Sequence, residues 1–476
     1  MMKSPPRIYY GNALVKDITN DVVFGPQVRR IAEYYERVKA TPALQVSNPD
    51  LGGEVTSVSY LRPTGRSDLA RIREGWEVIY ASYHGYVGRS PDYIDNWTMV
   101  YGAHSRLLSD LYGPRIGENS RRLYEESASQ GRFFTHAIVH PQYDRSQPPA
   151  KWDDPFRAIG VVEKTSEGLR VKGAAQVCTA PNAEVVIYTP EIKSDTDLRH
   201  ALAFAIPTST EGVNFFPRRS FYPRGESPKR DYPISAAFEE SDALLYLDNV
   251  LIPWDNVLAY AGASSTTPPV DYRSMIGLDV WFNYHFAIQN AARLKFLQGL
   301  AMVAAEAIGV NTKINIEQGI GTIIRDGRIV EGGILGAEDE GVNTGYLFMP
   351  DPGLTRAVSY YCTEALPRAY QTIRQICGGL LLPIPADPSA LANPEIGYKL
   401  THSLETKILG ASDRVRLSYL LWDVLDSETA MRYQHYDMFA RGDLFQTTAS
   451  LYRNLDPKTK DALLFPIREV LEGMKE

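Results

Sequence analysis

Two residues of GRSPDYIDNW (88–97) can act on one atom: Arg89 carries a permanent, forked positive charge and Tyr93 a phenolic hydroxyl, with a proline-containing turn between them. Together they suit a single anionic or phenolic oxygen. A second segment, FFTHAIVHPQYDR (133–145), adds His136, whose imidazole can change charge near neutral pH. A third, AAQVCTAPNAE (174–184), again carries polar groups where a plain core or surface does not require them. Taken singly, each residue also has a structural place: Arg89 in a surface ion pair, Tyr93 in the core with a wet hydroxyl, His136 as a satisfied interior histidine.

Other chemistries find less support. No GxGxxG follows a strand; the nearest string, Gly319-Ile320-Gly321, runs on into Thr-Ile-Ile in helical or turn texture. GxxxxGK[ST], HExxH and GxSxG are absent. Two histidine pairings invite a metal: His136 with His140, and His435-Tyr436-Asp437 in the HxD form of a facial triad. An HxD site needs a later histidine and His435 is the last, while His140 precedes a proline at a change of texture, so no metal is expected. His435 reads as a polar helix-surface residue and His140 as a loop hydrogen-bonder. The three cysteines, Cys178, Cys362 and Cys377, are far apart and odd in number, which fits neither a disulfide framework nor a thiolate zinc site.

The elements that must position these residues fall in an α, β, α order. Val28, Ile31, Tyr35 and Val38 recur at helical spacing after Pro26, and Leu69, Ile72, Trp76 and Ile79 do so after Arg66, which predicts a helical region over residues 1–137. From 138 to 265, short β-branched runs such as AIGVVEK, AEVVIYTP and ALLYLDNVLIPW alternate with turn residues, predicting a β region. Within it, residues 208–233 are long, basic and rich in proline and glycine, which reads as a mobile lid. After the linker AGASSTTPPVD, long helical patterns return over 266–476, broken at CGGLLLPIPADPSALANP, and imply a bundle.

Composition agrees with a globular protein whose partner is small. The chain has 476 residues, 44% hydrophobic and 22% charged, enough for large cores. A net charge of −7 lacks the footprint of a nucleic-acid binder. The start carries no apolar leader run, and the most apolar stretch, 286–310, holds Arg293, Lys295 and Glu306, so a cytoplasmic protein with no membrane span is expected.

GRSPDY, THAIVHPQYDR, VVEKTSEGLRVKGAAQVCTA and LDNVLIPWDNV, in this order and spacing, resemble blocks of the 4-hydroxyphenylacetate 3-monooxygenase large-component family. The resemblance implies an α+β, acyl-CoA-dehydrogenase-like fold, with a helical N-terminal domain, a β-barrel-like middle and a C-terminal bundle that forms a homotetramer. It implies the oxygenase half of a two-component monooxygenase. FADH2 and O2 would hydroxylate a phenol ortho to its oxygen through a flavin C4a-hydroperoxide, and a separate NAD(P)H:flavin reductase would supply the reduced FAD. Arg89, Tyr93 and His136 would surround the phenolic oxygen. His136, Ala137 and Ile138, the loop Gln142, Tyr143, Asp144 and Arg145, then Thr179, and Arg441, Gly442, Asp443 and Leu444 would hold the flavin. Where relatives carry a hydroxyl-bearing pair at the substrate's tail, this chain has Pro190 and Glu191. A carboxylate beside Glu191 would meet like charge, so halophenols, nitrophenols, tyrosine derivatives and natural-product intermediates stay open beside 4-hydroxyphenylacetate.

Two alternatives accompany this reading. One is a flavin desaturase or dehydratase on the same fold. The dehydratase branch holds an iron–sulfur cluster with three cysteines and a histidine; His285 suits the histidine, but Ala292 stands where a cysteine belongs and no cysteine precedes Cys178. The other is a non-catalytic oligomeric scaffold, against which Arg89, Tyr93, His136, Arg145 and Thr179 together argue.

Overall fold

The chain opens with a two-residue pair of strands, β1 (Tyr9–Tyr10) and β2 (Ala13–Leu14), then helix α1 (Phe24–Ala40) and the hairpin β3 (Gln45–Asn48) with β4 (Glu54–Ser57). Helices α2 (Arg66–Ser82), α3 (Pro91–Ala103), α4 (Ser105–Tyr112) and α5 (Pro114–Gln130) follow. This is a computed structural model, and it describes residues 5–223, 227–263, 268–442 and 444–474. Leu69, Ile72, Trp76 and Ile79 are all fully buried, as their spacing predicts. In α1 the buried stripe differs by a residue: Gln27, Arg30, Ile31 and Tyr34 point inward, and Val28, Tyr35 and Val38 lie half-buried. Two polar side chains take inward places because partners await them, Ser241 for Gln27 and Glu240 for Arg30.

Strands then dominate. Antiparallel strands β6 (Gly160–Lys164), β7 (Gly168–Thr179), β10 (Val213–Pro217) and β11 (Asp242–Pro253) form a sheet in the order β10-β11-β7-β6. A second sheet has the order β12-β9-β8-β5, from β12 (Val257–Tyr260), β9 (Leu202–Pro207), β8 (Val185–Tyr188) and β5 (Phe134–Ala137). Its edge strand β5 runs parallel to β8, bringing His136 opposite Ile187. The barrel-like middle is therefore two four-stranded sheets and, among the described residues, no pairing closes them into a barrel.

Residues 208–233 differ from the mobile loop that their composition predicts. Their first part is β10, in register with β11, and Arg218 and Arg219 tie the next turn to Glu239, Asp242 and Glu428. Arg218 and Arg219 are matched by acids outside the segment and anchor it there, Arg230 pairs with Asp231 within it, and residues 224–226 of the expected lid lie outside the described residues. Short helices α6 (Pro228–Asp231) and α7 (Pro233–Phe238) lead back to β11.

The last region is helical: α8 (Tyr272–Met275), α9 (Leu278–Ala307), α10 (Ile314–Asp339), α11 (Pro352–Cys377), α12 (Gly397–Leu404), α13 (Ala411–Leu425), α14 (Glu428–Phe439), α15 (Leu444–Arg453) and α16 (Pro457–Gly473), with a small pair β13 (Val342–Asn343) and β14 (Phe348–Met349). Gly319 to Gly321 lies inside α10, away from any strand-to-helix turn. Helix α9 packs against α2, α3, α10 and α11 and buries polar groups on several faces, among them His285, Gln289 and Arg293. Arg293 reaches back to the carbonyl of Gly85 and to Asp437 of α14. No helix is long and apolar enough to cross a membrane among the described residues.

Gly85, in the α2–α3 connection, has φ +74, and a Cβ there would come within 2.7 Å of the Arg293 backbone nitrogen and 2.8 Å of the Gln289 carbonyl. Gly85→Ala should cost at least about 2 kcal/mol, read from the urea midpoint at unchanged slope.

His140 and His200 face each other with ring centroids 6.2 Å apart. Burial and the neighbouring ring bring His140 down to about 4 from its ordinary 6.5, and burial also lowers His200. Both are held neutral in the fold while the unfolded chain protonates them. Their stability contribution is complete above about 6.5 and drains as pH falls towards about 4. His140→Gln should lose less stability than the unsubstituted protein across that window in denaturation titrations.

Candidate active site

The α2–α3 connection, strand β5 and helix α9 place Arg89, Tyr93 and His136 in one buried cluster. Pro91 occupies the first turn of α3, a place that suits its fixed φ and missing N–H, so the chain turns sharply after Arg89 and enters the helix with Tyr93 facing inward. The Arg89 guanidinium carbon stands 4.8 Å from the Tyr93 ring centroid, and Tyr93 Oη lies 3.1 Å from His136 Nε2. The His136 ring is stacked on Trp97, one helical turn beyond Tyr93, at 4.9 Å and 13°. His285 and Phe282 from α9 close the other side of Tyr93, at 5.1 and 5.6 Å.

The electrostatics are lopsided. Arg89 is 1% exposed, makes no ion pair within 4 Å among the described residues, and has Nε and Nη1 buried without a partner. Burial, reinforced by Arg89, drives His136 well below its ordinary value, so the imidazole is neutral. Burial raises Tyr93 far above the usual phenol range despite Arg89, so it keeps its proton. The cluster therefore carries one uncompensated cation beside a neutral imidazole and a phenolic donor.

A carboxylate–imidazole pair stands behind Tyr93: His285 Nε2 is 2.7 Å from both Asp92 Oδ2 and Tyr80 Oη. A charged network lies under Arg89. Glu240 accepts the backbone N–H groups of Gly88 and Arg89 at 3.1 and 2.8 Å, and Asp242 accepts the hydroxyl of Thr179 at 2.8 Å. Burial alone would raise Asp242, yet Arg432, Arg218 and the Thr179 hydroxyl hold it well below the carboxylate range. Glu240 and Arg432 escape sequence reading because each looks like an ordinary helix-end or surface charge; Trp97 could be found from its spacing of four from Tyr93.

The other sequence candidates divide. Ala137 is buried in β5, and its carbonyl accepts from Thr189; Ile138 follows at the strand's end. Thr179 is buried at the end of β7, where its carbonyl accepts the hydroxyl of Thr135 in β5. Gln142, Tyr143 and Arg145 are exposed; Tyr143 bonds Asp153, and the carbonyl of Asp144 accepts from Trp152. Pro190 is buried, but Glu191 faces solvent and pairs with Lys193 at 3.6 Å, so its charge is spent outside the cluster. Arg441 lies 4.5 Å over Phe286 with Nε and Nη2 buried and unpartnered, Gly442 takes φ +91 and Leu444 begins α15, whereas Asp443 lies outside the described residues. His435 is exposed on α14. Cys178 is buried and its thiol is pushed up to about 11, as an inert apolar filler. No group of three metal-ligating side chains forms among the described residues.

Residues 1–259 match the model of the 4-hydroxyphenylacetate 3-hydroxylase N-terminal region and residues 274–465 that of its C-terminal region. The chain is 30% identical to the 4-hydroxyphenylacetate 3-monooxygenase oxygenase component of Thermus thermophilus, over 99% of this chain and 96% of that one. It is 27% identical to the oxygenase component of a Rhodococcus 4-nitrophenol 2-monooxygenase, over 92% and 83%. A crystal structure of a 4-hydroxyphenylacetate 3-monooxygenase oxygenase component complexed with FAD and 4-hydroxyphenylacetate superposes with a TM-score of 0.90 at 28% identity, covering 99% and 98% of the two chains. A 4-hydroxybutyryl-CoA dehydratase from N. maritimus shares the fold at a TM-score of 0.85 and 18% identity. The fold is thus the acyl-CoA-dehydrogenase-like one, and with both regional models matched over nearly the whole length, the chain belongs to the 4-hydroxyphenylacetate 3-hydroxylase family.

Proposed function

We propose that Arg89, Tyr93 and His136 hold the phenolic oxygen of a substrate whose neighbouring ring carbon is then hydroxylated. As a family member the chain is the oxygenase component of a two-component flavin monooxygenase, with FADH2 and O2 as co-substrates and a separate flavin reductase as its supplier.

The observation that carries the reading is the unpaired Arg89 cation. A buried guanidinium without a counter-ion is costly, and a phenolate oxygen offsets that cost where a neutral ligand would not. Neutral His136 can accept a hydrogen bond from the phenol, and Tyr93, still protonated, can donate to the oxygen as negative charge builds on it opposite Arg89. Charge on that oxygen makes the ortho carbon electron-rich. Once bound, FADH2 with O2 would supply the electrophilic oxygen and the electron pair that reduces the second oxygen to water, while Arg89, Tyr93 and His136 hold the phenolic oxygen. Trp97, Phe282 and the His136 ring keep the surroundings apolar and exclude water that would divert the oxygen to peroxide.

Flavin contacts fit His136, Ala137, Ile138, the 142–145 loop, Thr179, Arg441, Gly442 and Leu444, of which Arg441 contributes two buried, unpartnered N–H donors suited to flavin acceptors. With Glu191 turned to solvent, like charge no longer opposes an acidic tail, so 4-hydroxyphenylacetate and other para-substituted phenols are candidates. We place the protein in the cytoplasm as a homotetramer. The apolar groups left exposed on α9 and α10, including Met302, Val303, Ile324, Ile329 and Leu335, support burial between copies of the bundle.

With an added flavin reductase, Arg89→Gln and His136→Ala should each lower hydroxylated product by about 100-fold or more while peroxide release rises and the unfolding temperature holds. Product yield against oxygen consumed, across a panel of phenols, reads this out. Unchanged coupling in both variants would sink the assignment.

A further inference from the structure

Six charged side chains meet at the start of β11: Arg30 from α1, Arg218 from the turn after β10, Arg432 from α14, and Glu239, Glu240 and Asp242. Arg218 pairs with Glu239 and Asp242 at 3.0 Å each. Arg432 bridges Glu240 at 3.2 Å and Asp242 at 2.5 Å, and Arg30 lies 3.4 Å from Glu240. Three cations face three carboxylates, so the group is neutral as a whole. It is also close to Arg89: the same Glu240 carboxylate that binds Arg30 and Arg432 accepts the Arg89 backbone N–H. Gly88 permits the approach, since a Cβ there would stand 2.5 Å from Glu240 Oε2.

Glu240 is thus the nearby buried carboxylate that could have become the counter-ion of the Arg89 guanidinium. Its oxygens are instead occupied by two backbone N–H groups and two other arginines. We infer that Arg432 and Glu240 are specificity-determining residues: by saturating Glu240, Arg432 leaves Arg89 unpaired and reserves it for an anionic phenolate. This rests on the phenol reading above. Neither side chain need touch the substrate; both act through Arg89 and are positioning residues. Arg432 also holds Asp242, which holds Thr179, so one guanidinium orders the phenol end and the expected flavin end together.

The test is 4-nitrophenol binding to the protein with saturating oxidised FAD, at a pH below the phenol's own pKa. The phenolate absorbance band then reports ionisation on binding, independent of turnover. The unsubstituted protein should develop the band. Arg432→Gln frees Glu240 to neutralise Arg89 and should weaken phenolate binding about tenfold or more. Arg432→Lys, which keeps the charge, should stay near the unsubstituted value. Glu240→Gln retains one acceptor oxygen for the Gly88 and Arg89 N–H groups while removing the rival charge, and should bind phenolate at least as tightly. The double variant Glu240→Gln/Arg432→Gln should recover most of what Arg432→Gln loses. A merely structural role predicts the reverse, with Glu240→Gln weak and the double variant no better than Arg432→Gln; that pattern overturns the inference. If Arg432→Gln fails to fold, as thermal unfolding would show, Glu240→Gln against the unsubstituted protein decides alone. Absence of the band in the unsubstituted protein would instead sink the phenol reading and the inference with it.

Discussion

A buried positive charge without a counter-ion is the constraint around which the molecule is arranged. Moving a guanidinium out of water is costly, and more so when no counter-ion accompanies it. Arg89 is in that state while the carboxylates named around it are engaged elsewhere: Glu240 with backbone and with Arg30 and Arg432, Asp242 with Arg218, Arg432 and Thr179, and Asp92 through Oδ2 with His285 and Tyr80. The surrounding fold leaves the Arg89 guanidinium without a carboxylate, which is the ground for the anionic guest proposed above.

The architecture explains how such a state survives. The α2–α3 connection is clamped on one side by the Glu240 carboxylate and on the other by Arg293 and Gln289, which reach the carbonyls of Gly85 and Val87 from α9. Strand β5 is the parallel edge of its sheet and is also held through Thr135 to the end of β7, so His136 cannot drift from Tyr93. Helix α14 closes the arrangement through Arg432 and Asp437. Sheets and bundle therefore share one polar seam, and that seam is where chemistry can be placed with fixed geometry.

Local patterns in the chain made much of this legible. The period of Leu69, Ile72, Trp76 and Ile79 becomes the buried face of α2, and the β-branched runs become β6, β8 and β11, because each pattern matches the repeat of the element it builds. The segment after residue 208 was legible only as unusual. Its prolines, glycines and arginines read as mobility, while their actual partners, Glu239, Asp242 and Glu428, are supplied from elsewhere in the chain. The inward rotation of α1 has the same origin, since Arg30 is buried for the sake of a carboxylate 210 residues away.

The amino-acid sequence by itself determined the helical, strand-rich, helical order and the absence of the common nucleotide and metal motifs, and through its family blocks it pointed to the trio Arg89, Tyr93 and His136, which the fold brings together. Tertiary structure alone decided that Arg89 is unpaired, that His136 is neutral on Trp97, that Glu191 turns away, and that Glu240 and Arg432 pair beneath the Arg89 backbone. The division is physical. Periodicity and turn chemistry are set by neighbours along the chain, whereas the charge state of a buried group depends on which distant residues approach it and how much water they exclude.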